Sequence, residues 1–286
     1  MKHILTLITL LLVVGVLTSC HQTKIYPDGL TTKALENFTT KNYEIALKYA
    51  DEHLAIYADD AYAYWLRAKI YVKLHNYDSA FNDIDNAIKY CPRKDKRMLF
   101  GIYENKADIY RRMERFEDAI PFYKKAYQTA KKVAPEVLPE LLMQQAHSHY
   151  MLKDYDAADE IYRSLLQDEV ARQSAMVGIA RNMIERNDFQ SAIDILKECE
   201  KYDDSYSDIY RFRMTAYATM GSVEEAIDDA IELFEKSQFT TTDLILPILA
   251  RNTRYALTKV AEKITNNAES SAKWEVLQYR ISQIDN

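Results

Sequence analysis

The sequence predicts an all-α protein, an α-solenoid of about six stacked helical hairpins followed by C-terminal helices. Glycine and proline are rare, with 5 Gly and 6 Pro in 286 residues, a balance that suits helices. A signature of a turn residue, an aromatic, an acid and, two positions later, an alanine recurs six times. Its alanines are Ala46, Ala80, Ala119, Ala158, Ala192 and Ala226. They are spaced by 34, 39, 39, 34 and 34 residues, and a period near 34 identifies an array of helical hairpins.

The first helix of each hairpin is marked by a small residue twelve positions before the signature alanine. These residues are Ala34, Ala68, Ala107, Ala146 and Ala180, with Met214 as the exception. In three repeats a tyrosine follows three positions later, as Tyr71, Tyr110 and Tyr217. A small residue with a bulky one at i+3 lies on one helix face. This pattern therefore predicts close packing of two antiparallel helices.

The second helix of each hairpin begins at the signature. Five turn residues are good N-caps: Asn42, Asn76, Asp154, Asp188 and Ser222. Acids in the first turn, where the helix dipole favours negative charge, are Glu44, Asp78, Glu117, Asp156 and Glu224. Apolar residues continue at helical spacing, as in Ala80, Ile84 and Ala87. Capping, dipole and periodicity therefore all favour a helix.

Two features depart from the regular period. The 39-residue steps flank the third repeat, and we expect a lengthened second helix followed by a new start near Pro135 and Pro139. Beyond residue 238 the signature is missing, and the sequence predicts two more helices. These helices are expected to cap the last repeat, and the alternative is an exposed docking helix.

The pattern resembles the tetratricopeptide repeat (TPR). The second repeat matches best, through Ala68, Tyr71, Tyr77, Ala80, Ala87 and Pro92. The resemblance implies a right-handed α-solenoid over residues 30–238, with a C-terminal helical cap over 239–286. The expected repeats are 30–60, 61–96, 97–138, 139–172, 173–206 and 207–238. The first and sixth repeats depart from the pattern at Asn37 and Met214, as terminal repeats commonly do.

The N-terminus predicts an export signal. Ile4–Leu17 is an apolar run that is shorter than the ~20 residues of a spanning helix. The segment Leu17–Cys20 resembles the processing box of bacterial lipoproteins. The resemblance implies a signal peptide over 1–19, acylation (palmitate) of Cys20, a tether over 20–29, and an outer-membrane location facing the periplasm. The alternative is an ordinary cleaved signal with a chance cysteine.

The sequence does not indicate an enzyme. A net charge of −6 does not suit nucleic acid, and there is no glycine-rich phosphate loop. His147 and His149 lie two residues apart and cannot share a metal ion on a regular helix. Cys91 is expected in a turn and Cys199 at an interior position, without a disulfide between them. We therefore expect no catalytic site, no metal and no cofactor.

A protein or peptide partner is the expected ligand, because TPR proteins bind ligands along a concave groove lined by the first helices. Aligning the repeats places ten candidate residues on that surface: Trp65, Lys69, Glu104, Asp108, Arg111, Met143, His147, Tyr150, Arg181 and Arg211. Trp, Tyr and Arg dominate interface energetics. The alternative for Trp65 and Tyr150 is packing between neighbouring repeats.

The leading functional prediction is a membrane-anchored scaffold or adaptor in the bacterial cell envelope. A first alternative is the exported sensory region of a signalling protein, acting through a partner. A second alternative is a part of a glycan-uptake or outer-membrane assembly complex.

Overall fold

The computed structural model describes residues 29–266 and 271–284, and these ranges are helical without any strand. The predicted signal peptide, Cys20 and nearly all of the tether lie outside the described residues. The all-α fold class and the succession of helical hairpins are confirmed. The chain divides into two compact units, Met1–Asp154 and Tyr155–Asn286, and each is described by itself.

Unit 1 contains three complete hairpins and the first helix of the fourth repeat. Its helices are α1 (Leu30–Thr39), α2 (Tyr43–Ile56), α3 (Ala61–Lys73), α4 (Tyr77–Tyr90), α5 (Lys96–Arg112), α6 (Phe116–Ala130) and α7 (Leu138–Met151). A short 3₁₀ turn, Pro135–Val137, precedes α7. Each of the pairs α1/α2, α3/α4 and α5/α6 packs as a hairpin, and α7 packs against α6.

Unit 2 contains the remaining helices. They are α8 (Tyr155–Ser164), α9 (Arg172–Glu185), α10 (Phe189–Glu200), α11 (Ser207–Met220), α12 (Val223–Lys236), α13 (Thr242–Leu249), α14 (Thr253–Asn266) and α15 (Ser271–Ser282). The pairs α9/α10, α11/α12 and α14/α15 are antiparallel neighbours, and α8 packs against α9. In the part of the chain that the structure describes, no helix is both long and apolar enough to cross a membrane.

The signature residues form the contact between paired helices. All six signature alanines are fully buried, as are the five alanines that lie twelve positions before them in the first helices. Met214, which takes the place of the sixth, is 3% exposed. Tyr110 fills the space beside this contact, with its ring centroid 4.6 Å from that of Phe81 and 5.6 Å from that of Phe122. The predicted role of the repeat, close packing of paired helices, is therefore confirmed for the hairpins that lie within one unit.

All six hairpin turns share one backbone geometry. The residue before each N-cap has a positive φ: Lys41, His75, Glu114, Lys153, Asn187 and Gly221. The N–H of the next residue bonds the carbonyl five positions earlier, as from Asn76 to Tyr71. This bond ends the first helix in a Schellman-type motif. One residue therefore closes the first helix and opens the second, although glycine supplies the left-handed conformation only at Gly221.

The predicted side-chain caps are confirmed in two turns. Asn76 and Asp188 accept hydrogen bonds from the N–H groups of residues three positions later. Asn42 and Ser222 occupy the predicted N-cap position, without a side-chain cap bond. The Asn42 amide donates instead to Thr40. Turn geometry thus fixes the helix start even where the side chain bonds elsewhere.

The prediction of a lengthened second helix around the third repeat is wrong. The extra residues of the first 39-residue spacing lengthen α5, which has 17 residues, and not α4, which has 14. The extra residues of the second 39-residue spacing lie in the connection after α6 and in the 3₁₀ turn. Pro135 is the first residue of the 3₁₀ turn and Pro139 is the second residue of α7, so both lie in the first turn of a helical segment, as predicted. Proline suits that position because its missing N–H has no partner in the first turn.

The C-terminal helices pack against the last hairpin. Trp274 is fully buried, with its ring centroid 5.2 Å from that of Phe234 on α12 and 5.6 Å from that of Phe239. The structure shows three helices instead of the predicted two, since a 3₁₀ turn at Ala250–Asn252 separates α13 from α14. Pro247 lies inside α13, where it removes a backbone donor and favours an early end.

Ion pairs also join the helices of single hairpins. Arg213 on α11 contacts Asp229 on α12 through both carboxylate oxygens, at 2.7–3.1 Å, and contacts Glu200 on α10 at 2.6 Å. Arg67 and Asp83 form the equivalent pair in the second repeat at 2.7 Å. Asp83 is buried, and its charge is neutralised by Arg67.

Candidate functional site

Four candidate residues share one surface of unit 1. Trp65 and Lys69 lie one turn apart on α3, and Glu104 and Asp108 lie one turn apart on the neighbouring α5. Residues four apart project from one helix face. We call this region the α3–α5 surface.

Trp65 is held in place by two contacts with α5. Its indole Nε1 donates to Asn105 Oδ1 at 2.5 Å. The indole ring also lies on Gly101, where a Cβ atom would come within 2.5 Å of ring carbon Cζ2. The alternative prediction, that Trp65 packs between neighbouring repeats, is therefore confirmed. The side chain stays partly exposed and forms a fixed wall of the surface.

Lys69 places its ammonium between two aromatic rings. Its Nζ atom lies 5.4 Å from the centroid of Trp65 and 5.5 Å from that of Phe38. Among the described residues Lys69 has no ion pair. Burial lowers its pKa and Lys73 adds to that effect, whereas Glu104 opposes it. A largely buried ammonium group without an ion pair is stabilised when an anion approaches it.

Glu104 carries the opposite charge beside Lys69. Burial raises the pKa of its carboxyl to about 7, and the carboxylates of Asp108 and Glu140 act in the same direction. Lys69 opposes the shift without reversing it. Within the described ranges Glu104 forms neither an ion pair nor a hydrogen bond. The surface therefore contains one cation and one carboxylate that are both incompletely neutralised.

Asp108 and Arg111 are engaged within the protein. The Asp108 carboxylate accepts from Arg111 at 2.5 Å and from Arg112 at 2.6 Å. Arg111 also interacts with the buried Tyr123 of α6. The charges of both residues therefore already have partners within unit 1.

A recess of about 150 Å³ opens beside these residues. Its apolar lining consists of Phe38, Ala68, Val72, Ile84 and Ile109. Its polar lining consists of Lys69, Lys73, Asn105, Asp108 and Arg112. The volume suits one side chain of a partner, with an apolar floor and a mainly cationic rim.

The candidates on α7 form an aromatic patch. The ring centroid of His147 lies 6.2 Å from that of Tyr150, with an interplanar angle of 19°, and 6.4 Å from that of Phe116, with an interplanar angle of 83°. Met143 is partly exposed on the same helix. Glu140, at the start of α7, is the α7 residue that acts electrostatically on Glu104.

Arg181 and Arg211 belong to unit 2 and are engaged there. Arg181 donates to the Tyr162 hydroxyl at 3.1 Å. Arg211 pairs with Asp208 at 2.8 Å, and its guanidinium lies 4.5 Å from the centroid of Phe212. The structure therefore brings Trp65, Lys69, Glu104 and Asp108 together and leaves these two arginines in separate local contacts.

Several residues of the surface are missing from the predicted set. Phe38, Lys73, Asn105 and Arg112 line the recess. Lys73 could have been found from sequence, because it lies four residues after Lys69 and so on the same helix face. Phe38 lies in the first repeat, which matches the repeat pattern poorly.

The described residues hold no group of three His, Cys, Asp or Glu side chains arranged to bind a metal ion. Cys91 and Cys199 are buried thiols, and burial raises their pKa values to about 12 and about 11. Such thiols are poor nucleophiles at neutral pH. Cys91 follows α4 in a turn and Cys199 is fully buried, as predicted.

Comparison with known proteins supports the repeat assignment. The tetratricopeptide repeat family matches residues 61–94 and 100–132. A TPR repeat-containing protein of Methanocaldococcus jannaschii is 34% identical over 86 residues, which span 30% of this chain and 27% of that protein. The chain thus matches about a quarter of the length of this relative.

Three solved structures share the fold at low sequence identity. A tetratricopeptide repeat protein of Parabacteroides merdae has a TM-score of 0.64 at 18% identity, covering 91% of this chain and 98% of its own. A STAND protein of Pyrococcus horikoshii with a tetratricopeptide repeat sensor has a TM-score of 0.66 at 14% identity, covering 89% and 41%. Pseudomonas aeruginosa PilF has a TM-score of 0.55 at 15% identity, covering 73% and 90%.

Proposed function

We propose that this chain, which carries tetratricopeptide repeats, is a scaffold that binds a peptide segment of a partner protein on the α3–α5 surface. The observation that carries the proposal is Lys69, which lines the recess and lies beside Trp65 and Glu104. The rigid indole supplies contact area at low entropic cost, because Asn105 and Gly101 already fix it.

The charges of this surface support a binding role better than a structural one. Lys69 and Glu104 are partly desolvated and have no ion pair among the described residues, so they destabilise the free protein slightly. A partner that neutralises them recovers that cost on binding. The recess is too small for a globular domain and suits one inserted side chain.

The test is recovery of partners on the immobilised protein from an extract of its own cells. We expect Lys69→Met to reduce recovery of the main partner at least about tenfold, equivalent to about 1.4 kcal/mol. The matched control is Lys48→Met, since Lys48 is exposed on α2 with a weak pair to Glu52. Equal recovery by both variants, with unchanged helical content, would place the partner elsewhere.

Arg111 is a poor probe for this test. Its guanidinium holds Asp108 and contacts Tyr123 inside the third hairpin. Reversing its charge would break these contacts as well as any contact with a partner. Lys69 has no such internal partner among the described residues, so its substitution reports on the surface.

We also propose that the scaffold is anchored in the cell envelope through a lipidated Cys20. The support is the sequence Leu17–Cys20 after an apolar run, which resembles a lipoprotein processing box. More than one acyl chain is needed for stable anchoring. Cys20→Ala is expected to move the protein from the membrane to the soluble fraction, and intact mass should lose the acyl groups.

The lipid anchor would be contradicted if the Cys20→Ala protein stayed in the membrane and its mass differed from that of the wild type only by the substitution itself. The scaffold proposal would be unaffected. Crosslinking in intact cells, followed by identification of attached proteins, then distinguishes an adaptor from the sensory region of a signalling protein. Copurification with an outer-membrane assembly, pilus or glycan-uptake complex would identify the process. The likeness to PilF concerns the fold alone.

A further inference from the structure

We infer that the recess of the α3–α5 surface binds the side-chain carboxylate of a glutamate in the partner segment, with Lys69 as its main cation. This inference rests on the proposed function and names the side chain that the partner inserts. The recess combines an apolar floor with a mainly cationic rim. A glutamate side chain can match both, because its methylene stem can lie on the floor while its carboxylate turns to the rim.

Lys69 is positioned for an anion before a partner binds. Its Nζ atom lies 5.4 Å from the ring centroid of Trp65 and 5.5 Å from that of Phe38, and the hydrogen bond to Asn105 Oδ1 fixes the Trp65 indole. The rings attract the ammonium group without neutralising it, and Lys69 has no ion pair among the described residues. The same bond occupies Asn105 Oδ1, so the Nδ2 of this residue, which also lines the recess, is the amide group left to donate.

The other charges of the lining leave the rim positive. Lys73 is exposed and forms no ion pair in the described part of the chain. Arg112 donates to Asp108 through Nε, and the structure of the described ranges shows no hydrogen bond from its two terminal nitrogens. Among the described residues that line the recess, Asp108 is the one carboxylate, and Arg111 and Arg112 share it. An added carboxylate therefore meets cations and no unneutralised anion of the lining.

The apolar floor distinguishes a glutamate side chain from the carboxyl end of a chain. The floor consists of Phe38, Ala68, Val72, Ile84 and Ile109, whose side chains neither donate nor accept hydrogen bonds. A C-terminal carboxylate lies next to a peptide N–H, which would lose its water against this floor without gaining a partner. The two methylene groups of glutamate gain from the same burial. Aspartate, with one methylene group, covers less of the floor.

The test begins with selection of random 12-residue peptides on the full chain. The C-terminus of each peptide is joined to its carrier, so that side chains supply the only carboxylates. We expect one glutamate position to be enriched. In a synthetic copy of an enriched peptide, replacing this glutamate by glutamine should weaken binding at least about tenfold, and replacing it by aspartate should weaken binding less.

A protein variant then assigns this loss to Lys69. The glutamate and glutamine peptides should bind Lys69→Met about equally, because the variant keeps the methylene stem and lacks the charge, so the two changes are not additive. Lys48→Met is the matched control on α2, where Lys48 is exposed and only weakly paired with Glu52. It should keep the tenfold difference between the two peptides.

The contrary outcomes separate this inference from the proposed function. The glutamate inference is overturned, and peptide binding stands, if the enriched peptides lack glutamate or if the loss with glutamine is undiminished in Lys69→Met. Enrichment confined to a second library with free C-termini has the same meaning, since the recess would then hold a chain end. Absence of any enriched peptide from both libraries overturns the proposed function itself.

Discussion

Two groups of charges, Arg213 with Asp229 and Glu200 in unit 2 and Lys69 with Glu104 in unit 1, differ in whether they are neutralised internally. In unit 2, Arg213 contacts Asp229 and Glu200, and the Arg213 and Asp229 side chains are 9% and 6% exposed. In unit 1, Lys69 and Glu104 interact electrostatically but form no ion pair in the described part of the chain. Similar helical hairpins thus support both closed and open groups of charges, and unit 1 contains the open pair beside its own closed pair, Arg67 and Asp83.

The difference separates charges that hold the fold from charges that are available to a partner. A closed network restricts how α11 packs on α10 and α12, because its hydrogen bonds require one geometry. An open pair adds no such restriction and costs stability, a common property of binding sites. Substitutions in the two groups should therefore affect stability in opposite directions.

Arg213→Met should give the largest effect, a loss of about 3–5 kcal/mol in the free energy of unfolding of unit 2, because Asp229 would stay buried without its partner. The chain has two tryptophans, so Trp274 emission in a Trp65→Phe background reports on unit 2 during urea unfolding. The matched control is Arg213→Met with Asp229→Leu, which should recover most of the loss. A loss below about 1 kcal/mol would mean that the network is dispensable.

Gly178→Ala should give the next largest effect. A Cβ atom there would come within 2.6 Å of the Tyr162 ring, and Tyr162 is 1% exposed and cannot move aside. Overpacking of this kind costs about 1–3 kcal/mol. Gly101→Ala creates the equivalent clash with Trp65 in unit 1, but the indole is partly exposed and can yield by giving up its hydrogen bond to Asn105.

The comparison of these two glycine variants is made by urea unfolding with circular dichroism. We expect a smaller loss for Gly101→Ala, together with a shift in Trp65 emission. Tyr162→Leu should relieve much of the clash in the Gly178→Ala protein. Equal losses for the two variants would show that the Trp65 wall is as rigid as the core of unit 2.

The sequence predicted the hairpins well because their determinants are local and repeated. The buried alanines, the acids of the first turns and the proline starts all follow from spacing. The shared turn could not be predicted, since Lys41, His75 and Glu114 carry no signal for a positive φ. Tertiary packing imposes that conformation, at a cost of about 1–2 kcal/mol for a residue with a Cβ atom.

The candidate surface was predicted in part. Repeat alignment located Lys69 and Glu104, because the position of a residue within the repeat determines the helix face on which it lies. It did not show that Asp108 is neutralised by Arg111 and Arg112, since ion pairs depend on rotamers. The Arg213–Asp229 pair joins residues sixteen positions apart on two helices, and a repeat pattern built on small apolar residues does not record it.

Lys69→Met should raise the stability of unit 1 by up to about 1 kcal/mol, because it removes a partly desolvated cation and keeps the methylene stem. Lys73→Met is the matched control and should change little, since Lys73 is exposed. Urea unfolding followed by Trp65 emission measures both. A loss of more than about 1 kcal/mol for Lys69→Met would show that the contacts with Phe38 and Trp65 stabilise the fold.

The remaining test is a pH dependence of the stability of unit 1 that comes from Glu104. Its pKa of about 7 in the folded protein lies above the ordinary value of 4.5, so the folded state binds the proton more tightly than the unfolded state. Stability from this group is therefore present at low pH and is lost as the pH rises from about 4.5 to about 7.

The difference in unfolding free energy between wild type and Glu104→Gln isolates this contribution, because all other groups titrate in both proteins. The wild type should lose more stability than the variant between about pH 5 and pH 8, and a carboxyl ¹³C titration of Glu104 should have its midpoint near neutrality. A midpoint near 4.5 with parallel pH curves would mean that Glu104 is well solvated, and the contrast between the open and closed charge groups would then depend on Lys69 alone.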